Sequence, residues 1–135
     1  MKNQLADASQ CGVYQLTRKR EDVERAAKQA GLAVFRIDLG QARGKKDVLD
    51  RIAEALSFPE WFGGNLDSLN DCLTDLDWLP KKSGYVLIFE NSRHFADALP
   101  VLNAAAEYWK GEGRPFWALF ESANSQVSGL PKWPA

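Results

Sequence analysis

FPEWFGGNLDSLNDCLTDL, residues 58–76, decides how the rest of the chain is read. Pro59 stops any helix before it, Gly63–Gly64 opens the backbone, and Asn65 is a good N-cap for a helix expected over Asn65–Leu76. At 100° per residue, Leu66, Leu69, Cys72, Leu73 and Leu76 fall on one face. Asn70, Thr74, Asp67, Asp71 and Asp75 fall on the other. A helix so divided needs an apolar layer beneath it, and the flanking sequence supplies one.

Upstream, LAVFRIDL (Leu32–Leu39) is almost continuously apolar, as expected of a strand buried on both faces. Between it and Pro59, Asp47 is expected to cap a helix carrying Val48, Leu49, Ile52, Ala53 and Leu56 on one side. Downstream, YVLIF (Tyr85–Phe89) and FWALF (Phe116–Phe120) read as further buried strands. The helical region between them turns Phe95, Leu99, Leu102, Ala105 and Trp109 inward, with Pro100 at a first-turn position or a break. Before Leu32, a polar lead-in over 1–11 precedes a short strand, Gly12–Leu16. A helix over Arg20–Ala30 follows, with Gly31 placed as its C-terminal cap. Strands alternating with helices imply crossovers and a parallel sheet, here of about four strands with flanking helices. The expectation is one α/β domain over 1–135: a βα extension over 1–31, a core over 32–121 and a loop-like tail over 122–135.

A chain of 135 residues with 45% hydrophobic and 26% charged residues suits one globular domain. Its formal net charge of −1 gives no global attraction for nucleic acid. The local distribution is uneven. Between Arg51 and Lys81 there is no basic residue, while Glu54, Glu60, Asp67, Asp71, Asp75 and Asp77 give that window a charge of −6. Such segregation suits a partner with a positive surface, and equally a solvated helix face. Cys11 and Cys72 show no metal-ligand spacing and suit a reducing compartment. MKNQLADASQCGVYQL lacks the apolar run of a signal peptide, and no segment reaches the ~18 apolar residues of a membrane span. A cytoplasmic protein without membrane contact is expected.

Along the i, i+4, i+8 row, Asp67, Asp71 and Asp75 repel at roughly 0.2–0.5 kcal/mol per neighbouring pair. Solvated surfaces tolerate that cost, and the setting of the row is what gives it weight. Trp61 and Phe62 precede it, and Gly63–Gly64 leave backbone groups open to a partner. The segment resembles the signature of the barstar family of ribonuclease inhibitors. The matching positions are Pro59, Glu60, Trp61, Phe62, Gly63, Asn65, Leu66, Asp67, Leu69, Asp71, Cys72, Leu73 and Thr74. The βαα-β-α-β order from Leu32 to Phe120 also resembles the family fold. On that footing the sheet has three family strands, and residues 1–31 add a fourth, expected beside Leu32–Leu39.

The resemblance implies a plug. The helix and its preceding loop would enter the active-site cleft of one ribonuclease, with Asp71 where the RNA phosphate lies among the enzyme's Arg, Lys and His. Physics supports the scheme, because a ribonuclease presents fixed cations and a rigid array of carboxylates is a natural decoy. The implied partner-binding residues are Trp61, Phe62, Gly63, Gly64, Asn65, Asp67, Asn70, Asp71, Thr74 and Asp75. Three positions depart from the family. Asn70 replaces an aromatic, Trp61 replaces a tyrosine, and a later helical glutamate falls at Tyr108 with Glu107 beside it, a secondary contact pair. The expected partner is therefore a ribonuclease with a cationic active site, bound one to one, with barnase itself disfavoured.

Other chemistry is weakly signalled, and no cofactor, metal or catalytic residue is expected. GQARGKK (Gly40–Lys46) is one residue short of a Walker loop and carries Lys46 where Ser or Thr should bind magnesium. His94, the one histidine, sits in a polar loop without a nucleophile. The aspartate row could hold Mg²⁺ for phosphoester hydrolysis, yet one exposed helix row is a poor cage. A second alternative is a binding module of the same kind whose partner is not a nuclease. Of five tryptophans, Trp109 and Trp117 follow core patterns and Trp61 is assigned to binding, while Trp78 and Trp133 have no assigned place.

Overall fold

YVLIFE and FWALFE are apolar at nearly every position, so both faces of these strands must be covered. They take the middle of the sheet. A computed structural model describes residues 1–91, 96–121 and 129–134. The elements are α1 (Lys2–Ala6), β1 (Val13–Leu16), α2 (Arg20–Gln29), β2 (Ala33–Asp38), α3 (Lys45–Ala55), α4 (Leu66–Leu73), β3 (Tyr85–Glu90), α5 (Leu99–Gly111), β4 (Phe116–Glu121) and β5 (Lys132–Trp133). The sheet is five-stranded and parallel throughout, in the order β2-β3-β4-β1-β5.

The two faces carry separate cores. On one, α3, α4 and α5 bury Leu49, Ile52, Leu69, Leu73, Leu102 and Trp109 against Leu87, Phe89, Phe116 and Phe120. On the other, α1 and α2 bury Leu5, Val23 and Ala27 against Val86, Ile88, Trp117 and Leu119. Residues 1–31 thus supply most of the cover for that sheet face. Trp117 Nε1 donates to the Leu5 carbonyl at 2.8 Å, which ties α1 to the centre of the sheet.

That role corrects two expectations. β1 lies beside β4, on the far side of the sheet from β2. Only from there does α2, running back to β2, cross over β4 and β3 and cover their apolar residues. β2 is consequently an edge strand, with Arg36 and Asp38 exposed, and is not buried on both faces. The tail yields a fifth strand where a loop was expected: β5 pairs with β1, and the Trp133 ring packs 5.0 Å from Trp117. The lead-in over 1–11 also holds α1 and a short 3-10 turn at Ala8–Gln10.

Several boundaries follow local chemistry. Gly31 takes φ +78°, and Gly31 N–H and Leu32 N–H donate to the Lys28 and Ala27 carbonyls, a Schellman ending for α2. Asp47 is not the N-cap of α3. Gly44 holds that place, and Asp47, inside the first turn, accepts from Arg43 N–H at 2.9 Å. Pro100 sits in the first turn of α5, where its missing N–H costs nothing. Gly84 admits no side chain, since a Cβ there would lie 2.5 Å from the Pro115 carbonyl oxygen. His94 and Phe95 lie outside the described residues, as does the 122–128 part of the tail.

Candidate partner-binding site

The loop before α4 is built on aromatic edges. Trp78 Nε1 donates to the Leu56 carbonyl at 2.9 Å, which fixes its ring. Phe58 stands edge-on to Trp78 at 5.8 Å and to Phe62 at 4.9 Å. Trp61 stacks its edge on Trp78 at 6.2 Å and remains 53% exposed. Trp78 therefore has a clear place as the prop behind Trp61. A large exposed apolar ring held by other rings is pre-organised for contact, with little rotamer entropy left to lose.

The start of α4 is braced by a residue that sequence reasoning passed over. Asn65 caps the helix, its Oδ1 accepting from Ser68 N–H at 2.8 Å. Ser68 Oγ in turn accepts from Gly63 N–H at 2.7 Å. The pair resembles a capping box in which Ser stands for the usual Glu or Gln and reaches two residues further back. The signal was present as N-x-x-S, spaced like a capping box but lacking its acid. Gly64, at φ +71° with open space around its Cα, needs glycine for its backbone angle.

α4 ends sooner than expected. The helix stops at Leu73, Thr74 is its C-cap, and Leu76 takes φ +54°. Trp109 Nε1 donates to the free Leu73 carbonyl at 2.8 Å, and Thr74 Oγ1 donates to the Asn70 carbonyl at 2.8 Å. Burial of Leu76 beyond the turn explains why the apolar period runs on past the helix itself. Asp67 and Asp71 are therefore one helical turn apart on an exposed face, while Asp75 lies past the end of the helix. Asp75 accepts from Asp77 N–H at 3.2 Å and borders a different hollow, shared with Lys81 and Arg114.

Asp67 and Asp71 line a groove of about 420 Å³ between α4 and α5, together with Leu66, Asn70, Pro100, Val101 and Ala104. Neither carboxylate meets a cation within ion-pair distance among the described residues. Glu107 and Tyr108 lie one turn beyond Ala104 on α5. Glu107 is paired to Lys110 at 3.4 Å, and Tyr108 is 45% exposed, edge-on to Trp109. Below this surface the Cys72 thiol is pushed up to about 11 by burial, then by Asp71 and Asp75, so it stays protonated at neutral pH. Among the described residues, no group of three His, Cys, Asp or Glu side chains is placed to hold a metal ion. No helix among them is long and apolar enough to cross a membrane.

Trp61, Gly63, Gly64, Asp67 and Asp71 are all exposed, and the bond from Gly63 N–H to Ser68 Oγ ties the loop to the first turn of α4. No curated protein matches the chain. The family model described as Barstar (barnase inhibitor) matches residues 32–121, which runs from just before β2 to the last residue of β4. The chain belongs to the barstar family.

Proposed function

We propose that this protein binds and blocks a ribonuclease, one molecule to one, by laying the 61–71 surface over the enzyme's cationic active site. The observation that carries the reading is the pair Asp67 and Asp71: exposed, one turn apart on a braced helix, and without an internal cation among the described residues. Membership of a family described as barnase inhibitors supports it. The chain acts by occupying the site, with Trp61 and the glycine loop closing around the acids, and performs no reaction itself. Thr74 and Asp75 would sit at the margin, as would Glu107 and Tyr108. Two free, buried thiols, Cys11 and Cys72, suit a reducing compartment such as the cytoplasm.

Asn70 in place of the family aromatic argues for a nuclease other than barnase. The test is capture by the immobilised protein from its own cell, followed by an RNA-cleavage assay on the captured protein. Expected is a ribonuclease that the free chain titrates to zero activity at one equivalent, with an on-rate that falls as salt shortens the screening length. Capture of a protein that does not cleave RNA, on the same surface, would replace this reading with a module for a different basic partner. A salt-independent on-rate would move the interface away from the acids altogether.

A further inference from the structure

The groove between α4 and α5 holds more than its acids, and its floor carries a separate message. Leu66 on α4 and Pro100, Val101 and Ala104 on α5 present apolar surface, with Pro100 and Ala104 exposed. Side chains at i and i+4 stand above one another on a helix, so Pro100 and Ala104 form one continuous wall. Asn70 faces them across the gap, and neither it nor Ala104 is long enough to fill it. Water can bond Asp67, Asn70 and Asp71 at the rim but gains nothing from the apolar floor, which is better covered by an apolar occupant. The occupant must also tolerate Asp67 and Asp71 on the rim, which requires basic groups at its shoulders.

We infer that this groove receives a bulky apolar side chain, flanked by basic residues, from the protein that the acidic face binds. The inference rests on the proposed function for its partner and adds a determinant of which partner is chosen. The acids attract any cationic cleft. The groove selects among them, since only a surface carrying an apolar knob beside its cations fills it. A lone arginine would lay only its slender methylene stem on the floor while its head pairs with the carboxylates, so it fills less of the groove than a large apolar side chain flanked by separate cations.

Two synthetic peptides separate the terms: Arg-Lys-Trp-Lys-Arg and Arg-Lys-Ala-Lys-Arg, titrated into the whole protein and followed by methyl and amide NMR. The tryptophan peptide is expected to bind about tenfold tighter, the ratio set by burying one aromatic side chain in part. Ring currents should move the methyl signals of Val101 and Ala104. In Ala104→Trp, which fills the groove from an exposed helix position, the tryptophan peptide should bind no better than the alanine peptide. Equal binding of both peptides to the wild type, with shifts confined to the amides of Asp67 and Asp71, overturns the groove and leaves the acidic surface standing. Silence at Asp67 and Asp71 with either peptide overturns both.

Discussion

At the carboxyl ends of the central strands, Arg20 lies 3.1 Å from Glu90, 3.4 Å from Glu121 and 3.3 Å from Glu24, while Arg36 lies 2.8 Å from Glu90. Along α4, Asp67 and Asp71 face solvent with no such cation among the described residues. The first cluster is half-sheltered between α2 and the sheet, where an unpaired carboxylate is costly, so each acid has a cation at hand. The second is bathed in water, where an unpaired acid costs little and stays available. The difference is that carboxylates sheltered at the sheet are neutralised from within, whereas Asp67 and Asp71 stay open on the surface, where the proposed function would use them. Each of the following measurements sharpens or breaks that division.

The largest effect is expected beneath the acidic face. Leu69 is wholly buried on the inner side of α4, so Leu69→Ala should cost about 2–5 kcal/mol of stability through the cavity it leaves. Inhibition measured below the melting transition should be nearly unchanged. A variant that melts like the wild type would mean α4 is not packed as described. One that stays folded yet fails to inhibit would mean inner and outer faces are not separable.

Next comes the paired cluster. Arg20→Met removes the common partner of Glu24, Glu90 and Glu121 and leaves like charges together in partial shelter. A loss of about 2–3 kcal/mol is expected, below the range for fully buried pairs because water reaches the site. Binding should not change. Denaturant midpoints measure the first, inhibition constants the second. An Arg20→Met protein of normal stability but poor inhibition would place part of the functional surface at the strand ends.

Much of this arrangement was legible in the sequence, and the parts that were not share a physical cause. β3, β4 and the inner face of α4 announce themselves by apolar period, a local property. Gly31 was readable because a helix end needs a left-handed residue. The place of β1 was not readable, since pairing with β4 is a long-range choice set by which sheet face needs cover. LAVFRIDL looked doubly buried because Leu32 and Leu39 bracket it. Arg36 and Asp38 within it were the sign of an edge. β5 is two residues long and carries no period. At the site, the cap, the glycines and the first two acids were visible. The detachment of Asp75 was not, because Leu76 stays buried after the helix ends. Trp78 acts through a hydrogen bond that no pattern marks, and Ser68 showed only as capping-box spacing without the usual acid. The wall of Pro100, Val101 and Ala104 could have been read as the face of α5 left over once Leu102, Ala105 and Trp109 turn inward.

The acids themselves should show the reverse of Arg20. Asp71→Ala is expected to leave stability within about 0.5 kcal/mol of wild type, since it relieves repulsion from Asp67 on an exposed face. It should weaken inhibition by about 2 kcal/mol or more if the position faces fixed cations. Asp67→Ala should weaken inhibition less. Its stability gain is offset by the lost interaction with the helix N-terminus. Thermal melts and inhibition constants decide this, and an Asp71→Ala protein that inhibits as well as wild type would reduce the acidic face to a solvated one.

The smallest effect is a matter of pH, and it separates two carboxylates at the strand ends. Burial, and then Glu90, raises the Glu121 carboxyl above its ordinary value, against the pull of Arg20. Its folded form holds its proton more tightly than the unfolded chain does. Stability from Glu121 is therefore greatest when it is protonated and declines as pH rises from the ordinary glutamate value through the raised one. Asp38 behaves oppositely. Hydrogen bonds from Asn91 Nδ2 at 3.0 Å and Gly40 N–H at 2.9 Å lower it. Its contribution is present above the ordinary aspartate value and fades as pH falls through the lowered one. Denaturant midpoints taken across about pH 3–7, where ordinary carboxylates titrate, should show Glu121→Gln losing the decline towards neutral pH. Asp38→Asn should lose part of the fall on the acid side. If Glu121→Gln follows the wild-type curve throughout, the cluster is better hydrated than its geometry indicates, and the contrast with the open acids of α4 weakens accordingly.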